Sequence, residues 1–470
     1  MTLLGPRLVV AGTRSGAGKT TVATGVMAAL QHRGCRVASA KVGPDFIDPG
    51  YHTLATGRLA RTLDPWMSGA DLMRPLAARG ADGADVLVVE GVMGLFDGAA
   101  DGTPSSTAEV AKRLDAPVLL VVDVASVSHS VAALVHGYRT WDPAVRVAGV
   151  ILNLVGSDVH ETMLRAALAN CGVPVYGALR RDDAMRWRSR YLGLQPVAED
   201  PSGVRAALDR LASAIARSCD LDGLVSLARS APPLRTTQAP EPRRVVGANG
   251  SPRVAVGTGA AFSFCYPENL EALGAAGAEV VPFDPCVDEQ LPPGTSAVLV
   301  GGGFPELYAE ALAGNLPMLR SVAEHHRRGG VTWAECGGLL WLARSIDGAA
   351  MAGVVDTAVT MRGGRVLGYR SATTTCPSPL GPAGTQMRGH EFHYSTTDPG
   401  GDALVLTGRH GTTTTGFAAP NLLASYLHVH LAAYPTIAEA FVSAAASSSP
   451  ATPRARARSE MPWFPSPSLG

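Results

Sequence analysis

The stretch Gly12-Thr13-Arg14-Ser15-Gly16-Ala17-Gly18-Lys19-Thr20-Thr21 decides the fold. It follows a short apolar run, residues 7–11, that reads as a strand. It opens an amphipathic run, residues 20–31, with Val22, Val26 and Leu30 on one face at helical spacing. Strand, glycine-rich turn and helix, in that order, are what a phosphate-binding loop needs. Successive backbone N–H groups there point at one spot, and the helix N-terminus adds positive potential. Gly12, Gly16 and Gly18 let the turn close around a nucleotide. Lys19 is expected to reach the β- and γ-phosphates of ATP, Thr20 to hold Mg²⁺ through its hydroxyl, and Thr21 to join the nucleotide contacts.

The spacing is one residue longer than the usual loop, G-x5-GK[ST], with Thr13 where the first glycine would stand. That form resembles the deviant Walker A of dethiobiotin-synthetase-like and MinD-type ATPases. The first act on carboxylates; the second are dimeric switches that carry a lysine in the place of Arg14.

A chain of 470 residues holds two or three domains. Hydrophobic residues make up 46% and charged ones 17%, which excludes a disordered chain. Lys plus Arg and Asp plus Glu both number 40, a balance unsuited to general nucleic-acid binding. Seven scattered cysteines without a CxxC pair fit a reducing cytoplasm and neither a disulfide framework nor a zinc site. The start of the chain reads directly into a strand, so the expectation is a cytoplasmic protein without a signal peptide. No apolar run approaches ~20 residues, so no membrane-spanning helix is expected.

Strand-like runs at 37–41, 85–90, 117–123, 147–153 and 174–178 mostly alternate with helical stretches. Such alternation predicts a parallel sheet covered on both faces, with ligands beyond the carboxyl ends of its strands. Acidic residues collect there. KVGPDFIDPGYH, residues 41–52, offers Lys41, Asp45, Asp48, Tyr51 and His52; EGVMGLFDG, residues 90–98, offers Glu90 and Asp97. Mg²⁺ takes hard oxygen ligands, which makes Glu90 the first candidate and Asp45 the second. Asp48, before Pro and Gly, reads equally as a turn residue. Asn153, in ILNLVGS, can present a donor and an acceptor to an adenine edge or shape a turn.

A helix is expected near residues 204–217. Residues 221–252 then become rich in Pro, Arg and Ser and read as a linker. Strand-like runs resume at 253–256, 279–282, 297–300 and 331–335. The last leads into Cys336-Gly337-Gly338 and a helical run, a sharp turn that resembles a nucleophile elbow. A helix N-terminus favours the thiolate, and the N–H of Gly337 can face an oxyanion. Gly301 to Gly303 end a neighbouring strand, where Gly302 and Gly303 are candidates for the second donor. ASYLHVH, residues 424–430, supplies two candidate bases, His428 and His430. GHEFHYS, residues 389–395, lacks the HExxH spacing of a zinc protease; lining the site and building the core both stay open for it. The Ser-, Pro- and Arg-rich tail, 447–470, is expected to be disordered.

The order GTRSGAGKTT, KVGPDFIDPGYH, EGVMGLFDG, ILNLVGS, AAFSFCYPENLEAL, GGGFPELYAE, AECGGLLWL, GHEFHYS, ASYLHVH resembles the cobyrinic acid and hydrogenobyrinic acid a,c-diamide synthase family, over roughly residues 8–445. The resemblance implies an α/β protein in two parts. Residues 1–220 would be a dethiobiotin-synthetase-like P-loop domain with a parallel sheet that binds ATP and the corrinoid. Residues 253–446 would be a class I glutamine-amidotransferase-like α/β domain. It implies ATP- and glutamine-dependent amidation of a corrinoid polycarboxylate in cobalamin synthesis, with ATP and Mg²⁺ as cofactors and L-glutamine as nitrogen donor. Cys336 matches the family's nucleophile and His428 its base. Tyr51 and His52 are candidate walls for the corrinoid. Other class I amidotransferases carry a Glu two residues after the base; here that position is His430. Arg14 and the run Val256-Gly257-Thr258-Gly259 also depart from the family pattern. The reading leaves room for a homodimer. Two alternatives stand: a ligase for another tetrapyrrole, such as a nickel-sirohydrochlorin, and a P-loop ATPase switch with an inactive amidotransferase module.

Overall fold

Continuous apolar runs make strands buried on both faces, as a helix-covered parallel sheet requires. In the computed structural model, Arg7–Gly12, Val37–Val42 and Val86–Glu90 are buried along their whole length. The structure describes residues 2–99, 102, 105–182, 187, 189–190, 193–247 and 250–448. The chain divides into two units, Met1–Ala239 and Pro240–Gly470. No described helix is long and apolar enough to cross a membrane.

The main sheet of the first unit has seven strands. Their order is Arg61–Leu63, Val37–Val42, Val86–Glu90, Arg7–Gly12, Val118–Asp123, Val147–Val155, Val175–Arg180. Every neighbouring pair is parallel. Strands from residues 37–90 lie on one side of Arg7–Gly12, and those from 118–180 on the other. That strand therefore stands at the switch point where open α/β sheets bind ligands. The helix Lys19–His32 leaves it and buries Val22, Val26, Met27 and Leu30. It runs tightly against the helix Pro201–Ser218: a Cβ on Gly25 would lie 2.6 Å from Ile215 and 2.9 Å from Leu211.

The linker expectation needs correction over its first part. Leu221–Arg229 is a helix that buries Leu221, Leu224, Leu227 and Ala228, and Asp220 caps it through Gly223 N–H at 2.8 Å. Leu234–Thr236 then pairs antiparallel with Thr2–Leu4. The front unit thus extends past residue 220, because an apolar stripe lies inside the polar composition. The tail expectation, 447–470, starts on the last residue of the helix Pro435–Ser447; from 449 on it lies outside the described residues.

The second unit carries a six-stranded sheet. Its order is Glu279–Phe283, Arg253–Gly257, Thr295–Val300, Val331–Glu335, Leu422–Ser425, Phe417–Ala419, parallel except for the last pair. A five-stranded sheet is ordered Gly411–Thr415, Leu404–Gly408, Val366–Thr374, Gln386–His393, His428–Val429. It brings the strand Gln386–His393 alongside His428–Val429, with His390 directly across from His428.

Candidate active site

In the first unit the phosphate loop is braced from three sides. Leu95 N–H donates to Gly12 O at 2.9 Å, Tyr138 OH donates to Thr13 O, and Asn153 Nδ2 donates to Ala17 O at 3.0 Å. Gly16 and Gly18 have φ of 75° and 94°. A Cβ on Gly18 would stand 2.1 Å from Asn153 Nδ2, so only glycine lets that brace form. Asn153 thus spends its Nδ2 on the loop. Lys19 folds over Gly12, and its Nζ donates to Arg14 O at 3.2 Å. Burial and the nearby Lys41 lower its pKa. Thr21 Oγ1 accepts from Trp187 Nε1 at 3.2 Å. Arg14, 63% exposed, reaches across to Asp123 at 2.6 Å.

Beside the loop lies a buried charge cluster. Glu90, wholly buried at its strand end, accepts from Thr20 Oγ1 at 2.7 Å and Lys41 Nζ at 2.8 Å, and pairs with His52 Nε2 at 2.6 Å. Burial pushes Glu90 up, but Lys41 and His52 outweigh it and hold the carboxyl below the usual range. Lys41 also binds Asp48 at 2.7 Å. Burial would lower the Lys41 pKa, yet Asp48, Glu90 and Asp45 raise it. Asp48 goes the other way: burial, Asp45 and Glu90 push it well above the ordinary value, over the pull of Lys41.

Acidic and basic side chains are thus closely interleaved beside the loop. Among the described residues no three His, Cys, Asp or Glu side chains are grouped to hold a metal by themselves. Mg²⁺ asks for less, since it keeps waters and takes only one or two carboxylates beside phosphate oxygens. The Thr20 hydroxyl, within 2.7 Å of Glu90 and 3.3 Å of Asp48, fits that demand.

Three further candidates make local structural contacts. Asp45 Oδ1 accepts from Ile47 N–H at 2.8 Å and Asp48 N–H at 3.0 Å, a turn that leads into the helix Asp48–Thr56. Asp97 is exposed and closes the turn over the loop through Gly94 N–H at 2.9 Å. Tyr51 is core, with its OH on Gln195 O at 2.6 Å and its ring edge-on to Trp187. Tyr51 and His52 are 1% and 0% exposed, so neither is the wall residue the sequence suggests. Their helix turns them inward, His52 to hold Glu90.

In the second unit, Cys336 ends the strand Val331–Glu335 and caps the helix Gly337–Leu342 with φ 48° and ψ −104°. A non-glycine residue in that conformation is strained, and such strain collects at functional sites. Its Sγ lies 3.9 Å from Phe392 O, which puts the GHEFHYS strand against the thiol. His428 Nδ1 faces Glu335 at 3.6 Å, both side chains buried. Burial alone would lower the His428 pKa; hydrogen bonds and charge from Cys336 and Glu335 instead raise it to about 10. The imidazole packs over Gly302, where a Cβ would meet Cε1 at 2.5 Å.

Gly302 is not a free donor, because its N–H binds Phe264 O at 3.0 Å. Its use is the space it leaves for His428. Gly303 N lies 3.0 Å from where a Cβ on Gly337 would be, so the two glycines pack closely at the elbow. His430 lies apart, fully buried, with Nε2 3.7 Å from Glu268. Sequence reasoning missed Glu335, although it directly precedes Cys336, because a strand-end residue between Ala334 and the thiol carries no spacing signal.

Fold and site together define a class: a P-loop nucleotide-binding domain and a glutamine amidotransferase domain in one chain. Residues 8–192 match the CobQ/CobB/MinD/ParA nucleotide binding domain, and residues 253–436 the CobB/CobQ-like glutamine amidotransferase domain. The hydrogenobyrinate a,c-diamide synthase of Streptomyces coelicolor is 49% identical over 470 residues, covering 93% of this chain and 97% of that one. That of Thermobifida fusca is 46% identical, with 95% and 98% covered. The cobyrinate a,c-diamide synthase of Syntrophotalea carbinolica is 42% identical, with 93% and 98% covered. The chain belongs to the hydrogenobyrinate and cobyrinate a,c-diamide synthase family, and is a carbon–nitrogen ligase with glutamine as amide donor.

Proposed function

We propose that this protein converts the a and c acetate carboxylates of hydrogenobyrinate or cobyrinate to amides, driven by ATP and fed with nitrogen from glutamine, on the route to cobalamin. A carboxylate resists ammonia because it is negative and has no leaving group. Phosphorylation by ATP gives an acyl phosphate, whose carbonyl ammonia attacks and whose phosphate departs. Lys19 and the loop amides neutralise charge on the transferred group. Mg²⁺, when bound, would supply further charge neutralisation, held by Thr20 with Glu90 and Asp48. Lys41 and His52 keep Glu90 ionised for that purpose.

Ammonia arises at the second site. The Cys336 thiol passes its proton to His428, and Sγ bonds to the glutamine side-chain carbon. The N–H groups of Gly303 and Gly337 bind the oxyanion. His428 returns the proton to the departing nitrogen, the C–N bond breaks, and water cleaves the thioester to glutamate and free thiol. Arg14 gives the switch alternative slight support as a cation at the loop, and the Cys336 elbow with His428 argues against it.

The observation that carries this reading is Cys336 on its strained elbow beside His428. Replacing Cys336 by Ala is expected to abolish glutamine-driven amidation and leave ammonia-driven amidation intact, as followed by the mass of the product. Loss of both would refute a separate nitrogen-supplying site. Offering hydrogenobyrinate and cobyrinate in parallel identifies the accepted ring.

A further inference from the structure

We propose that Glu335 is the positioning residue for His428, so that the carboxylate orienting the base comes from the position just before the nucleophile. The proposal rests on the reading of Cys336 as the thiol and His428 as its base.

A base that serves a thiol needs a third group to fix its ring and stabilise its charged form. Two residues beyond His428 the chain offers only His430, whose own neighbour is Glu268. Glu335 approaches from the strand Val331–Glu335 with both oxygens in use. Oε1 accepts from Val429 N–H at 3.1 Å, and Oε2 lies 3.6 Å from His428 Nδ1. Along the same backbone, Asn269 Nδ2 donates to Val429 O at 2.7 Å, and Asn269 Oδ1 accepts from Leu431 N–H at 2.7 Å.

The segment that carries both histidines is thereby clamped in register, and Glu335 holds it from the side of the thiol. The His428 ring lies between Glu335 at Nδ1 and the space left by Gly302 under Cε1, which turns Nε2 toward Cys336. At 3.6 Å the carboxylate acts through charge, and such pairs shorten into hydrogen bonds in the substrate complex. When Cys336 gives up its proton, the imidazolium that forms has a buried anion beside it.

Glu335→Gln keeps size and the acceptor for Val429 while removing the charge. It is expected to lower glutaminase kcat roughly 10²-fold, with KM little changed. Ammonia-driven amidation should stay at the wild-type rate. The groups facing His428 are Cys336 and Glu335 at the end of a strand of the six-stranded sheet, and His390, Glu391 and His393 on the adjacent strand of its own sheet, with Arg370 behind Glu391. Of these, Cys336, Glu335 and Glu391 favour the imidazolium, and His390 and His393 oppose it. Losing Glu335's charge should therefore move the alkaline limb of the kcat/KM profile to lower pH by about 1 unit or more. Glu335→Asp should recover part of both effects.

A Glu335→Gln protein that keeps glutaminase within about twofold of wild type, with its alkaline limb unmoved, would make Glu335 a packing residue and overturn the proposal. An equal loss of ammonia-driven activity would overturn it too, by revealing general misfolding. If Cys336→Ala still hydrolyses glutamine, the reading of the site itself fails, and that result is distinct from either.

Discussion

At the scale of single residues, the second site depends on what is missing from a side chain as much as on what is present. Gly302 has its amide engaged by Phe264, and its contribution is the room it leaves for the imidazole of His428. Gly302→Ala should push the ring off the thiol and lower glutaminase kcat about tenfold or more, while ammonia-driven amidation persists. Separate assays with the two nitrogen sources check this. Lys19, Thr20 and Cys336 stand in sequence motifs with a fixed spacing, whereas Glu90 is singled out by its place at a strand end and His428 by the family resemblance. Asp45, Tyr51 and Asn153 were harder. A polar residue at a strand end looks the same whether it will face a ligand or brace a turn, and only the direction of the side chain decides.

At the scale of elements, the closeness of two helices is set by one position. Gly25 lets Lys19–His32 settle against Pro201–Ser218, with Ile215 and Leu211 filling the place of a Cβ. Gly25→Val should destabilise the first unit by about 1–3 kcal/mol through overpacking, read as a lower denaturant midpoint. The parallel strands were legible because continuous burial leaves continuous apolar runs. The helix Leu221–Arg229 was not. Its apolar stripe is only nine residues long and is followed by a Pro- and Arg-rich stretch that dominates any window average. The GHEFHYS strand was ambiguous for another reason. Its part beside the thiol is a backbone carbonyl, that of Phe392, which no residue type announces.

At the scale of the whole molecule, each unit has its own sheet and core, so a ligand of one should register as stability of that one. A non-hydrolysable ATP analogue with Mg²⁺ at ~100 times its Kd should stabilise the first unit by about 2.7 kcal/mol. In Lys19→Ala that stabilisation should disappear, and amidation should stop with glutamine and with ammonia alike. Differential scanning calorimetry and the two-source assay measure these. A Lys19→Ala protein still active with ammonia would remove that lysine as the phosphate anchor. The division into a nucleotide half and an amidotransferase half was legible because each begins again with its own strand and glycine turn. The boundary was displaced, since the chain adds a helix and a short strand to the front half before leaving it.

The backbone of Cys336, at φ 48° and ψ −104°, has a further consequence. That conformation suits glycine better than any residue with a Cβ, and holding cysteine there costs about 1–3 kcal/mol. A library varied at this codon would therefore be sorted in opposite directions by two screens. Heat challenge would enrich glycine and discard the native residue, whereas growth that requires amide transfer from glutamine would retain only cysteine. Robustness alone is a misleading guide when redesigning this turn.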